Sequence, residues 1–355
     1  VRRALVALAT ALACLTAGSL PPAPAHTAAA KTVFAAYYPW YGGQANGWRH
    51  WNASGHTPPQ DVASVLYPTL GAYDSGDGTA LYYHLAWAQI AKVDVLAVSW
   101  WGRGSYEDQQ LPALFAAAAQ TPVRLAWILE PYAGRTAATF AADVQYLCAT
   151  YFTHPATFKA SRPSQYGPST TPRPVLFVYD PTISDTAWQA ATDALRGTAC
   201  DATVLVRADD SLLLTDSGVR TMGYWGHFDG AFNFGAYTYG GALPASPDYL
   251  VVPTVAPGFD NTRIGGTSVV GRQNGARYDD SWSSAINARA EWVLVNSFNE
   301  WHEGTAIEPA QPFSYRLGMR RYTYQSFENA YGQTGQSAQA AYLTRTAYWV
   351  DQWRR

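Results

Sequence analysis

Eight short apolar runs recur along the chain, and stretches of helical periodicity separate many of them. The runs are VFAAYYPW at 33–40, DVLAVSWW at 94–101, VRLAWILEPY at 123–132 and PVLFVYDP at 174–181. They continue with TVLVRAD at 203–209, FDGAFNF at 228–234, YLVVPTVAPGFD at 249–260 and EWVLVNSFNEW at 291–301. Each is apolar on both faces, as in strands buried within a parallel sheet. Helical patterns fall at 80–92, 111–120, 136–152, 185–196 and 279–290, and a last one, QSAQAAYLTRTAYWVDQW, closes the chain. Eight strands alternating with helices predict an α/β fold, a (β/α)8 TIM-type barrel in a single domain over residues 31–355. A doubly wound open sheet is the alternative, disfavoured because no Gly-rich phosphate turn follows an early strand.

The ends of the runs carry the chemistry. They finish in Tyr38-Pro39-Trp40, Trp100-Trp101, Glu130-Pro131-Tyr132, Tyr179-Asp180 and Asn299-Glu300-Trp301. In a barrel these ends converge on one face, where active sites are built. The fourteen Trp and twenty-four Tyr either fill a core or line a sugar cleft, where a pyranose C–H face stacks on an aromatic ring. A long segment, 41–79, carries Trp48, His50 and Trp51; unstructured stretches of that length in compact domains are usually functional or disordered, and the tryptophans favour function. Pro/Gly-rich stretches at 161–174 and 240–248 read as loops of the same domain. No repeat of solenoid period occurs.

The first 30 residues read as an export signal: Arg2 and Arg3, then an apolar run, then small-residue sites at Ala23-Pro24-Ala25 and Ala28-Ala29-Ala30. The expectation is a secreted protein without a membrane span; lipoprotein anchoring at Cys14 is a weaker alternative. Beyond the signal remain Cys148 and Cys200, which an oxidising compartment would allow to pair, although the sequence leaves open whether they meet. A net charge of −2 with no basic stripe speaks against a nucleic-acid partner. A monomer is expected.

FNEWHEGTAIEP, residues 298–309, places three carboxylates and a histidine after the last apolar run in a chain that is only 14% charged. If the chain turns into a helix there, Glu300 and Glu303 share a face and enter one pocket. Repulsion and burial then keep one protonated while the other stays ionised, as glycoside hydrolysis requires. The alternative is a Glu-rich first helical turn favoured by the helix dipole. A metal site at Glu300, His302 and Glu303 would need an unusual backbone, and no HExxH or paired-Asp motif supports one. A serine triad lacks its GxSxG elbow. Of the histidines, His50 and His302 are placed near substrate; His84 falls on a helix and His154 in a loop.

The chain resembles glycoside hydrolase family 99, the endo-α-mannosidase and endo-α-mannanase family. AAYYPWYGG with WRHW, AVSWWGRG, LEPY, VYDP, FDG, VPTVAPGFDNTR and SFNEWHEGTAIEP carry the resemblance, in family order over most of the chain. It implies a (β/α)8 barrel, endo-acting retaining cleavage and no cofactor. Glu303 corresponds to the general acid/base and Glu300 to a carboxylate that deprotonates the sugar's own 2-hydroxyl, giving a 1,2-anhydro intermediate. Glu130 matches a substrate-binding acid, and Trp100 or Trp101 an aromatic platform. Tyr38, Tyr41, His50, Tyr132, Tyr179 and His302 are expected around the same pocket, with Asp260 and Arg263 in the loop after the seventh strand. The chain departs from the family at Ala306, where Gln is usual, and at Phe232 and Phe234, where tyrosines are common. The implied substrate is an α-mannan-like oligo- or polysaccharide. A non-hydrolytic glycan-binding barrel, or an endo-glycosidase for another α-glycan, are the competing readings.

Overall fold

The computed structural model describes residues 31–161, 171–179, 186–208, 226–236, 243 and 249–355. The export-signal segment, Cys14 and Asp180 lie outside them. All eight apolar runs contain strands: β1 Thr32–Tyr37, β2 Val95–Trp100, β3 Arg124–Leu129, β4 Arg173–Val178, β5 Thr203–Arg207, β6 Gly230–Phe232, β7 and β8 Trp292–Val295. β7 is one stave in two pieces, Leu250–Val252 and Thr254–Val255, split at Pro253. Proline has no N–H for a ladder. Its carbonyl still accepts from Leu294 N–H at 3.1 Å. The first piece pairs with β6 and the second with β8, so β7 closes the ring. β1 lies between β2 and β8, and every pairing around the ring is parallel.

Helices cover the outside: α1 Gly78–Ile90, α2 Tyr106–Ala118, α3 Ala137–Tyr151, α4 Thr186–Asp193, α5 Ala276–Asn287, α6 Gly335–Gln339 and α7 Ala341–Arg354. Phe34, Phe177 and Phe232 meet edge to face at 5.1–5.2 Å although β1, β4 and β6 are not neighbours, so these rings fill the barrel interior. Strand alternation then fixes the rest. Tyr38 and Tyr179 continue the inward rows of β1 and β4. Tyr37 points outward, to His84 on α1.

Cys148 on α3 and Cys200 ahead of β5 are disulfide-bonded, closing a separation of 52 residues. A Cys148→Ser/Cys200→Ser variant is expected to lose about 4 kcal/mol of stability through the freed denatured chain. Urea unfolding against the oxidised protein measures this; unchanged midpoints would show that the link contributes nothing.

Candidate active site

The C-terminal mouth of the barrel gathers acids and aromatics. After β8 the chain forms a turn, Trp301–Gly304, and not the helix expected from the sequence. Glu300 itself makes the turn. Its Oε1 accepts His302 N–H and its Oε2 accepts Glu303 N–H, both at 3.0 Å. Gly304 ends it at φ +60, where a Cβ would press on Val65 Cγ2 at 3.0 Å and the Asp260 carbonyl at 3.2 Å. Asp260 N–H also donates to the Glu303 carbonyl at 2.7 Å.

Glu300 is buried. Besides the two amides, Tyr41 Oη donates to its Oε1 at 3.4 Å. Glu303 is partly exposed and its carboxyl has no hydrogen-bond partner among the described residues. Burial pushes Glu303 above the ordinary carboxylate range. Burial and then the Glu303 charge push Glu300 well above it, opposed by its hydrogen-bond donors. Two amides pointing at Glu300 favour its anion. Glu303 has no such donor among the described residues, so the two acids differ in what holds them.

Glu130 lies within the field of Glu303. Ser99 Oγ donates to its Oε1 at 2.8 Å and receives Trp101 Nε1–H at 3.1 Å. Burial raises Glu130 to about 7; Ser99 and Arg135 oppose this and the Glu303 charge adds to it. Between pH 4.5 and 7 the folded state thus holds a proton that the unfolded chain has released, and stability falls as pH rises. Relative to Glu130→Gln, the wild type should lose about 3 kcal/mol between pH 4.5 and pH 8 in urea unfolding. Parallel curves for the two proteins would contradict it. Tyr38 is raised by burial and then by Glu130, Glu300 and Glu303, so its phenol lies among all three acids. Tyr179 feels Glu130 and Glu303 after burial and Arg207.

The mouth thus brings together Glu300, Glu303, Glu130, Tyr38, Tyr179 and Trp101. His50 and His302 form one wall with Trp40: the His50 ring stacks on Trp40 at 4.5 Å, and His302 Nε2 bonds the His50 carbonyl at 2.8 Å. Burial lowers both imidazoles, His50 to about 3, so both are neutral at ordinary pH. Three expected contacts are corrected. Trp100 is fully buried and points outward, its Nε1–H donating to Asp108 at 2.8 Å under α2. Tyr132 also faces the helix layer, bonded to Asp143 at 2.6 Å. Tyr41 is fully buried and stacked on Trp51 at 4.1 Å, so it meets Glu300 from within the core and is closed to solvent. Arg263 is bound to Asp61 at 2.5 Å, stitching the 41–79 segment to the loop after β7.

Three contributors were not expected. Ser99 is a single small polar residue between Val98 and Trp100 in an apolar run. Arg207, at the end of β5, lies over Tyr179 at 4.8 Å. Asn299 clamps Tyr38, accepting its N–H at 2.7 Å and donating to its carbonyl at 3.1 Å. A polar residue at each strand end was the available signal. Phe232 packs in the barrel interior and Phe234 against Tyr179 at 4.9 Å. Ala306 is buried, its carbonyl accepting Arg272 Nη2–H at 2.6 Å.

A parallel barrel with carboxylates at the C-terminal mouth is the frame of many glycoside hydrolases, and this chain is one of them. The profile of Glycosyl hydrolase family 99 matches residues 29–355, so the chain belongs to that family. A glycoprotein endo-alpha-1,2-mannosidase-like protein of Mus musculus is 29% identical over 345 residues, covering 83% of this chain and 74% of its own. Glycoprotein endo-alpha-1,2-mannosidase of Rattus norvegicus is 28% identical, covering 79% of this chain and 68% of its own. The solved GH99 endo-alpha-mannosidase of Bacteroides thetaiotaomicron superposes with a TM-score of 0.72 at 28% identity, over 91% of this chain and 98% of that one.

Proposed function

We propose that this protein is a secreted, retaining, endo-acting glycoside hydrolase that cleaves α-mannosidic linkages in mannans or mannose-rich glycans. The observation that carries the reading is the asymmetry of the pair: Glu300 is gripped by two backbone amides and Tyr41, and Glu303 has no hydrogen-bond partner among the described residues. A fixed anion and an unengaged acid are what a two-step proton transfer needs. Family membership and the named activities of the relatives above support the mannosidic substrate.

In the first step Glu303 gives its proton to the glycosidic oxygen while Glu300 takes the proton of the sugar 2-hydroxyl. O2 attacks C1, the C1–O bond breaks, and a 1,2-anhydro sugar forms. In the second step the Glu303 carboxylate takes a proton from water, which attacks C1; O2 departs and recovers its proton from Glu300. Two inversions give retention, and neither carboxylate becomes covalently attached, unlike the common retaining route. Attack by O2 requires it trans to the leaving group, as in an α-mannoside and not an α-glucoside. Glu130, Tyr38 and Tyr179 bind hydroxyls of the sugar, and Trp101 offers a ring face to its neighbour. The disulfide and the N-terminal sequence support export.

Incubation with a panel of α-mannans and α-glucans tests the substrate. Internal cleavage of mannan, with oligosaccharide products, is expected. Cleavage of glucan alone overturns the substrate, and binding of mannan with no new reducing ends makes the barrel a glycan-binding protein.

A further inference from the structure

Below the turn lies a carboxylate that the reaction does not use. Glu308 is fully buried. Its Oε2 accepts Tyr73 Oη–H at 2.8 Å and Trp301 Nε1–H at 3.1 Å, and its Oε1 faces His84 Nε2 at 3.3 Å. His84, itself buried on α1, is bonded through Nδ1 to Tyr37 Oη at 2.9 Å. A buried carboxylate is costly unless donors surround it. The ones here have a particular placement. Trp301 immediately follows Glu300. Tyr73 Oη also receives Asn299 Nδ2–H at 3.2 Å, and Asn299 immediately precedes Glu300. One carboxylate oxygen thus holds both chain neighbours of Glu300. The segment around them is closed on itself: Thr305 N–H reaches the Glu300 carbonyl at 3.3 Å and Glu308 N–H the Phe298 carbonyl at 2.8 Å.

We propose that Glu308 is a positioning residue: through the Trp301 indole and the Tyr73 phenol it fixes the turn that presents Glu300 and Glu303. His84 is its counter-group from the outer helix layer, so α1 and the outer face of β1 set the geometry of the mouth. The side chains bonded to or facing Glu308 are His84, Tyr73 and Trp301, with Tyr37 and Tyr41 in its field. Those in the field of Glu303 are Glu300, Glu130, Tyr38 and Tyr179. The reacting groups are named by the proposed function, but the placement is a property of this chain and is testable without substrate.

The chain has seven glutamates, 107, 130, 291, 300, 303, 308 and 328, so carboxyl-13C glutamate labelling yields few signals. Glu303 is identified as the signal missing from Glu303→Gln. In Trp301→Phe, which removes the indole donor and keeps the Glu308 carboxyl, the Glu303 titration should move toward the ordinary range by about half a pH unit or more as water reaches it. Glu308→Gln should move it the same way. On a cleaved glycan each variant should lose about 10- to 100-fold in kcat with KM within about twofold. The double variant should lose no more than the worse single one. A folded Trp301→Phe protein with an unmoved Glu303 titration overturns the proposal, as do losses that multiply in the double variant. If Glu308→Gln fails to fold, Trp301→Phe alone decides. Because the titration needs no glycan, it still tests Glu308 if the mannan panel shows no cleavage, and a positive titration leaves the mannan reading to be decided by that panel.

Discussion

Glu303→Gln is expected to lower kcat on an unactivated mannan by about 1000-fold or more, with the fold intact. The Glu303 side chain is partly exposed and bonds to nothing among the described residues, so a neutral isostere disturbs no packing. What disappears is the proton for the departing oxygen. The loss should therefore shrink on a substrate whose leaving group is an acidic phenol, since a phenolate departs unaided. Equal losses on both substrates would remove Glu303 from the acid role. In the wild type the alkaline limb of kcat/KM reports deprotonation of this acid. It should lie above the ordinary carboxylate range, because burial raises Glu303.

Glu300→Gln is expected to cost at least as much, and the acidic phenol should not recover it. Its role is to take the 2-hydroxyl proton, a step that no leaving group replaces. The change also strikes the turn: two backbone N–H groups point at the two carboxylate oxygens, and an amide nitrogen would leave one of them unpaired. That should lower stability by about 1–3 kcal/mol, visible in urea unfolding. The acid limb of kcat/KM belongs to protonation of Glu300, which burial raises against the pull of its hydrogen-bond donors; Glu303 is protonated there and adds no charge. A Glu300→Gln protein that regains activity with the phenolic leaving group would sink this division of roles.

The eight strands were legible because a stave of this barrel is buried on both sides, inward by its fellows and outward by helices. Each therefore reads as a continuous apolar run. Side-chain direction was not legible. Trp100 and Trp101 are identical in type, and only the inward Ser99–Glu130 bond shows which of them faces the mouth. α2 begins at Tyr106, five residues ahead of the apolar pattern at Leu111. Its first turn carries buried Glu107 and Asp108, and Asp108 is spent on the Trp100 indole and the Tyr146 phenol. The hairpin Ser314–Leu317 with Arg320–Thr323 went unseen because it is largely exposed and only one cross-strand pair, Tyr315 with Tyr322, packs inward. The acid pair was found for a reason the structure changed. A helical i, i+3 spacing suggested it, but a turn stapled by Glu300's own carboxylate brings it about.

The stereochemistry of the first product tests the central claim most directly. Proton NMR during cleavage of an α-mannan should show the α-anomer of the new reducing end before mutarotation produces the β-anomer. A β-anomer appearing first would mean a single displacement by water, and would contradict the assignment of Glu300 to the sugar's own hydroxyl.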